Sequence, residues 1–289
     1  MKKYFETFSL VELNSTFYQY PQERTVAGWR EKALKNFEFT VKAHQETSHK
    51  SRLKAEKAGF EAFEHMNQIC KALNSKILLI QTPASFKPDK LVDAEGFFGK
   101  VNRENLVLVW ETRGPAWETK EVNMKLGQAL ERLNVIHVTD PLRTTPAYTG
   151  RVAYFRLHGL GQKMYYYQRS DTELRKLKEL VKPYEMEGKD VYILFNNLSM
   201  FEDGRRFMQY LLKGAFPRIT SSIGLVSIRE VVERTRYPVS KGMLTRRIGC
   251  RLVEVEEGKQ IRLDTLLDKL PPRTYKNADE LLHEIKVKR

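Results

Sequence analysis

A chain of 289 residues, 41% hydrophobic and 30% charged, can bury one large core or a core plus a small satellite, and it carries a formal net charge of +14. No stretch approaches the about 18 uninterrupted apolar residues of a spanning helix, and Met1-Lys2-Lys3-Tyr4-Phe5-Glu6 lacks the apolar segment of a secretory leader. The two cysteines, Cys70 and Cys250, lie in apolar surroundings with no metal-cluster spacing, so the expectation is a cytoplasmic protein with reduced, buried thiols and no membrane partner.

In chain order, Ser9–Leu13 reads as a strand that runs into Asn14-Ser15-Thr16, and Pro21 opens a helix bearing Val26, Trp29 and Ala33. Phe37–Ala43 is the next strand. The spacing of Leu53, Phe60, Phe63, Ile69, Cys70 and Leu73 then predicts a helix over Leu53–Leu73. Lys76–Gln81 is a buried-type strand, followed by a helix near Asp89–Val101 and a strand at Leu106–Glu111. Val122, Leu126, Leu130 and Leu133 mark the next helix, and the short strand Val135–Val138 ends in Thr139-Asp140-Pro141. Val152–His158 and Val191–Asn196 are strong strands on either side of a helix over about Asp171–Tyr184, for which Asp171 is the expected cap. A further helix is expected near Asp203–Leu212.

Seven strands are thus recognisable, at Ser9, Phe37, Lys76, Leu106, Val135, Val152 and Val191. They are near-continuous apolar runs, the pattern of parallel strands covered on both faces. The implied class is α/β, a TIM-barrel-like parallel barrel with one strand fewer than the usual eight. From about Tyr237-Pro238 the pattern changes to a hairpin, Gly249–Val255 and Gln260–Leu263, then Pro271-Pro272, then a helix begun by Asn277 with Glu280 in capping-box register. Residues 1–235 are read as the barrel domain and 236–289 as a small basic α+β module, with 13 Lys/Arg against 8 Asp/Glu.

The strand ends carry a family pattern. Glu12-Leu13-Asn14-Ser15-Thr16-Phe17-Tyr18, Val41-Lys42-Ala43 with His49 and Arg52-Leu53, Glu111-Thr112-Arg113-Gly114-Pro115-Ala116-Trp117, Arg156-Leu157-His158-Gly159 and Phe195-Asn196-Asn197 occur in order. In these segments the chain resembles the YecE-like family of TIM-barrel proteins, catalogued as DUF72, a family without an assigned activity. The resemblance spans about Tyr4 to Glu230. Two departures stand out: the family's opening strand, ending in Gly-Thr-Ser-Gly-Trp, has no counterpart, so either the sequence begins late or the barrel is incomplete and its mouth short of one wall. Gly114 also replaces a common histidine, so no role is carried to it.

In a parallel barrel the strand ends gather at one mouth. Asn14, Lys42, Gln81, Arg113, Asp140, Arg156, Asn196 and Asn197 are the candidate ligand-binding residues, with Tyr166 in the aromatic run Tyr165-Tyr166-Tyr167 as a covering group. Cations with amide donors suit an anionic ligand, a phosphate-containing small molecule or a nucleic acid. Glu111 and His158 are the candidate general acid/base pair of a hydrolase or lyase. No cofactor is evident: the histidines lack ligand spacing, and a divalent ion held by Glu111, Asp140 and His158 is the one metal arrangement left open. Bland roles compete at each position: Glu12 as a partner within the sheet, Lys42 in a buried ion pair, His158 as a strand cap, Asn196-Asn197 closing a turn. Two further readings stand beside the enzyme, a non-catalytic nucleic-acid binder using the basic surface and module, and a structural or regulatory partner with a vestigial barrel. Neither the protein partners nor the substrate follow from the sequence.

Overall fold

The computed structural model describes residues 2–161 and 163–287. Helix α1 (Lys2–Thr7) precedes strand β1 (Leu10–Leu13), and α2 (Glu23–Lys32) leads to β2 (Glu38–Lys42). The alternation continues through α3 (Lys57–Leu73), β3 (Ile77–Gln81), α4 (Leu91–Phe98), β4 (Val107–Glu111), α5 (Lys120–Leu133) and β5 (Ile136–His137). These strands form one sheet in the order β1-β2-β3-β4-β5, and each neighbouring pair is parallel. Strand β6 (Val152–Leu157) pairs with β7 (Asp190–Phe195), and a parallel bridge joins Thr139 to Phe155. Helix α6 (Asp171–Met186) lies between them in sequence, and α7 (Met200–Lys213) follows. Among the described residues no strand precedes β1.

Both faces of the sheet are buried, which explains why its strands are continuously apolar. Leu78, Ile80, Leu108 and Trp110 pack with Phe63, Met66 and Phe97 from the helices, while the alternate residues Ile77, Leu79 and Val109 pack with Ile136, Val152 and Tyr154 on the other face. Side chains alternate sides along a strand, so a strand buried on both sides has no polar register.

By internal contacts the chain divides into two compact units, residues 1–157 with 179–194, and residues 158–178 with 195–289. The boundary read from the sequence, between 235 and 236, falls inside the second unit. That unit continues with α8 (Gly224–Val232), β8 (Val239–Ser240), α9 (Lys241–Ile248), β9 (Leu252–Glu256), β10 (Lys259–Arg262), α10 (Leu263–Leu267), β11 (Thr274–Tyr275) and α11 (Ala278–Val287). β9 and β10 form the expected hairpin, with a register irregularity at Lys259/Gln260, and β8 pairs antiparallel with β11. Ile228, Val231 and Val232 of α8 share one core with Leu244, Val253, Leu267 and Leu281. Cys70 and Cys250 are both free and buried.

Two local readings change. Helix α3 starts at Lys57 rather than Leu53, because Arg52 and Leu53 both take left-handed φ values, 53° and 52°. The cap of α6 is Ser170, not Asp171: Ser170 Oγ accepts the Glu173 N–H (3.3 Å) and Glu173 accepts the Ser170 N–H (2.8 Å). That reciprocal pair is a complete capping box.

Candidate functional site

The first unit gathers a polar network at the C-terminal ends of its strands. Arg156, on β6, is completely buried and sits at its centre. Its Nε and Nη2 donate to Glu12 of β1 (2.9 and 2.7 Å), and its Nη1 donates to Glu111 of β4. Nη2 also reaches Asn14 Oδ1 at 3.3 Å. Glu12 further accepts from Tyr154 Oη (2.8 Å) and Asn14 Nδ2 (3.0 Å). Burial opposes the Arg156 charge, but the two carboxylates outweigh it and hold the guanidinium above its usual value. Glu12, weighed as a structural partner in the sequence, is therefore half of the network's anchoring pair.

Three cationic donors then converge on one neutral acceptor. Gln81 Oε1 receives Lys42 Nζ at 2.9 Å, Arg113 Nη2 at 3.3 Å and Arg156 Nη1 at 3.5 Å. Arg113 Nε also lies 2.6 Å from Glu111, and Arg113 is partly exposed. Lys42 forms no ion pair with a carboxylate among the described residues, so the bland expectation of a buried Lys42 salt bridge is not met. Its Nζ lies instead 4.1 Å above the Phe17 ring. Burial, with Arg156 acting the same way, pushes the Lys42 ammonium down to about 8 against the pull of Glu111 and Glu12.

The Asn14–Phe17 segment builds this arrangement. Thr16 Oγ1 donates to the Lys42 carbonyl at 2.6 Å, tying the turn after β1 to the end of β2. Phe17 then supports both Lys42 and the ring of His49, which meets it edge-on at 4.8 Å. His49 is carried by a single wide π turn, Glu46–Lys50, just before the left-handed pair Arg52 and Leu53. Such turns accumulate where a side chain must be aimed. Burial, then the Lys42 and Arg113 charges, push the His49 value down, keeping the ring neutral near pH 7.

His137, on β5, is a second histidine that sequence reasoning did not single out. Its Nδ1 accepts the Ala147 N–H at 3.0 Å, and Nε2 lies 3.1 Å from Thr112 Oγ1. An amide can only donate, so Nδ1 is unprotonated and the proton is on Nε2. Burial pushes this imidazole down to about 4.

Of the residues expected from the sequence, Asn14, Lys42, Gln81, Glu111, Arg113 and Arg156 meet in this network. Asp140 belongs to the same unit, and its Oδ1 accepts the Leu142 N–H (3.1 Å), closing the turn after β5. His158, Tyr166, Asn196 and Asn197 belong to the second unit. There Asn196 Nδ2 lies 3.3 Å from His158 Nδ1, and Tyr166 Oη accepts the Cys250 N–H at 3.1 Å. Asn197 Nδ2 donates to the Tyr167 carbonyl and to Asp203, both at 2.7 Å. Gly159 has φ +108°, and a Cβ there would lie 2.5 Å from Tyr167 Cβ, so only glycine fits after His158. Gly114, where many family members carry histidine, also has positive φ, +103°. Among the described residues no group of three or more His, Cys, Asp or Glu side chains can hold a metal ion, and no helix is long and apolar enough to cross a membrane.

Parallel strands linked by helices, with polar groups gathered at their C-terminal ends, define a TIM-barrel-like α/β protein, here followed by a small region of helices and antiparallel strands. Residues 1–216 match the family described as "Protein of unknown function DUF72", and the chain belongs to that family. Among solved structures it is similar to a DUF72 family protein from Enterococcus faecalis V583, at 22% identity and a TM-score of 0.59, covering 73% of this chain and 92% of that one. It is similar also to a DUF72 family protein from Thermotoga maritima MSB8, at 24% identity and a TM-score of 0.59, covering 71% of this chain and 85% of that one. No curated protein matches the chain.

Proposed function

We propose that the strand-end network of the first unit binds a small anionic ligand, a carboxylate or a phosphate, as the substrate site of a lyase or hydrolase. The observation that carries this reading is the convergence of Lys42, Arg113 and Arg156 on Gln81 Oε1. A carbonyl oxygen has two lone pairs, so three cationic donors oversubscribe it. Glu12 and Glu111 are already engaged by Arg156 and Arg113. An anionic oxygen would give Lys42, which has only the shared amide oxygen, a charged acceptor, and charge-assisted bonds to it are about twice as strong as neutral ones. Glu111 is the acid/base candidate within the network; His158 keeps that role only as a candidate from the second unit. Isothermal titration with inorganic phosphate at low salt tests the reading. Binding to the wild type that weakens at least about tenfold in Arg113→Met, one lost charge-assisted bond, is expected. Equal affinity in both proteins, or none in the wild type, refutes it.

The net charge of +14 motivates a second reading, nucleic-acid binding without catalysis. The second unit has an open cavity of about 530 Å³ lined by Lys163, Lys241, Arg246 and Arg273. Two of these cations are engaged: Lys241 Nζ donates to the Asp268 and Leu270 carbonyls, and Arg273 pairs with Glu280 and Glu284. The groove therefore offers less free charge than its composition implies, and the first reading is preferred. Single-stranded DNA affinity that falls steeply with salt and drops in Arg246→Ala would reverse that preference.

A further inference from the structure

We propose that Lys42 is an imine-forming nucleophile, and that the strand-end network takes small carbonyl compounds bearing a carboxylate or phosphate group. This rests on the anion-binding reading above and names its substrate class.

A lysine buried for structural reasons sits against a carboxylate. Lys42 does not. Both nearby carboxylates are taken by arginines, Glu12 by Arg156 and Glu111 by Arg156 and Arg113. The amine is left with a neutral amide oxygen at 2.9 Å and an aromatic face at 4.1 Å. Arg156 and Arg113 are both close enough to disfavour its charge. An amine desolvated beside other cations is the setting that produces nucleophilic lysines. With its value at about 8, roughly a tenth of Lys42 is neutral at pH 7, against about 0.04% of an ordinary lysine.

Glu111 is less well placed to lead the chemistry, because guanidinium groups already occupy both its oxygens. Arg113, partly exposed, supplies the anchor for the anionic group of a ligand, and Lys42 meets its carbonyl carbon. The Lys42 nitrogen forms a bond to that carbon, and the C=O π electrons move to oxygen. A proton passes from nitrogen to oxygen, giving the carbinolamine. The C–O bond then breaks, the oxygen leaves as water after taking a second proton, and the nitrogen lone pair closes C=N. The remaining N–H makes the product an iminium ion, so amine, carbonyl and one proton give iminium and water. His49, neutral near pH 7 and packed on the same Phe17 ring as Lys42, is the group placed to relay protons. The iminium withdraws electrons from bonds to the neighbouring carbon, the requirement for a lyase.

Reductive trapping tests this on the full chain. The protein is treated with cyanoborohydride and either pyruvate or acetone at pH 7, and labelled lysines are mapped by mass spectrometry. The exposed Lys50 and Lys57 serve as internal references for reagent reactivity. The expected result is Lys42 labelled at least about tenfold over both references with pyruvate, as its larger neutral fraction requires, with a smaller preference for acetone. Loss of the pyruvate preference in Arg113→Met, with an unchanged circular-dichroism melt, further supports the proposal. No preference for Lys42 with either reagent overturns it, whatever phosphate titration reports. Equal preference with pyruvate and acetone upholds the imine and sinks the anion-binding reading. No Lys42 variant has to fold for either result.

Discussion

Two buried arginines, Arg156 in the first unit and Arg206 in the second, sit in networks of different make-up. Arg156 has all three nitrogens engaged, by Glu12, Glu111, Asn14 and Gln81. Beside it the buried Lys42 has no carboxylate partner, while the partly exposed Arg113 pairs with Glu111. Arg206 donates to the Arg169 carbonyl (2.7 Å) and pairs with Asp171, while its Nε has no hydrogen-bond partner among the described residues. There two carboxylates, Asp171 and Asp203, face two buried guanidinium groups, Arg206 and Arg169. Asp203 is fully buried, lies 3.6 Å from Arg206 and accepts from Asn197, yet burial still pushes it up to about 6. The same residue types therefore make a candidate ligand site in one place and a sealed polar core in the other. What separates them is a lysine without a carboxylate partner in the first and a deeply buried carboxylate in the second.

The largest expected effect breaks the first network at its centre. Arg156→Met strands Glu12 without its cation and leaves Glu111 with Arg113 alone, a loss of about 3–5 kcal/mol. Urea unfolding should show it, with lost amide protection in β1, β4 and β6. A smaller loss than in a surface-charge variant would contradict the central role given to Arg156.

Acid separates the two networks next. The folded value of His137, about 4, lies below the usual 6.5, so its stabilisation is present above about pH 6.5 and is lost as pH falls toward 4. The folded value of Asp203, about 6, lies above the usual 3.8. Its stabilisation is therefore present below about pH 3.8 and is lost as pH rises through 6. Each effect is on the order of 3 kcal/mol. Between pH 4 and 6, rate-corrected hydrogen exchange should show the first unit strengthening and the second weakening as pH rises. His137→Gln and Asp203→Asn should each flatten one profile and leave the other.

A smaller effect sharpens the account of the site. Gln81→Leu removes the acceptor shared by three cations and should cost about 1–3 kcal/mol in phosphate-free buffer. Phosphate should raise the melting temperature of this variant more than that of the wild type, because the anion replaces the lost acceptor. Smallest of all, Lys50→Ala removes an exposed pair with Glu46 and should change stability by no more than about 0.5 kcal/mol.

Much of this was legible in the sequence. The apolar runs located the parallel strands because burial on both faces leaves no polar register, and the ordered motifs named six of the residues that meet. The pairing of Glu12 with Arg156 was not legible, since 144 positions separate them and only the fold brings β1 and β6 together. His137 lies within the expected strand Val135–Val138 but has no ligand spacing to other histidines, so no local pattern marked it. The aim of His49 depends on a π turn and two left-handed residues, which periodicity cannot reveal. The Ser170–Glu173 capping box was readable from its spacing, but the adjacent Asp171 drew the assignment. The helices α8 to α10 are too short to give a sustained apolar period.

The central claim is that Lys42 sits beside two arginines with no carboxylate of its own and can take an anion. Direct titration of its side-chain nitrogen by NMR, with and without inorganic phosphate, addresses this most plainly. The account predicts a value near 8 in the free protein, rising when phosphate binds, because a nearby anion favours the charged amine. A value near that of an ordinary lysine, unmoved by phosphate, would contradict it.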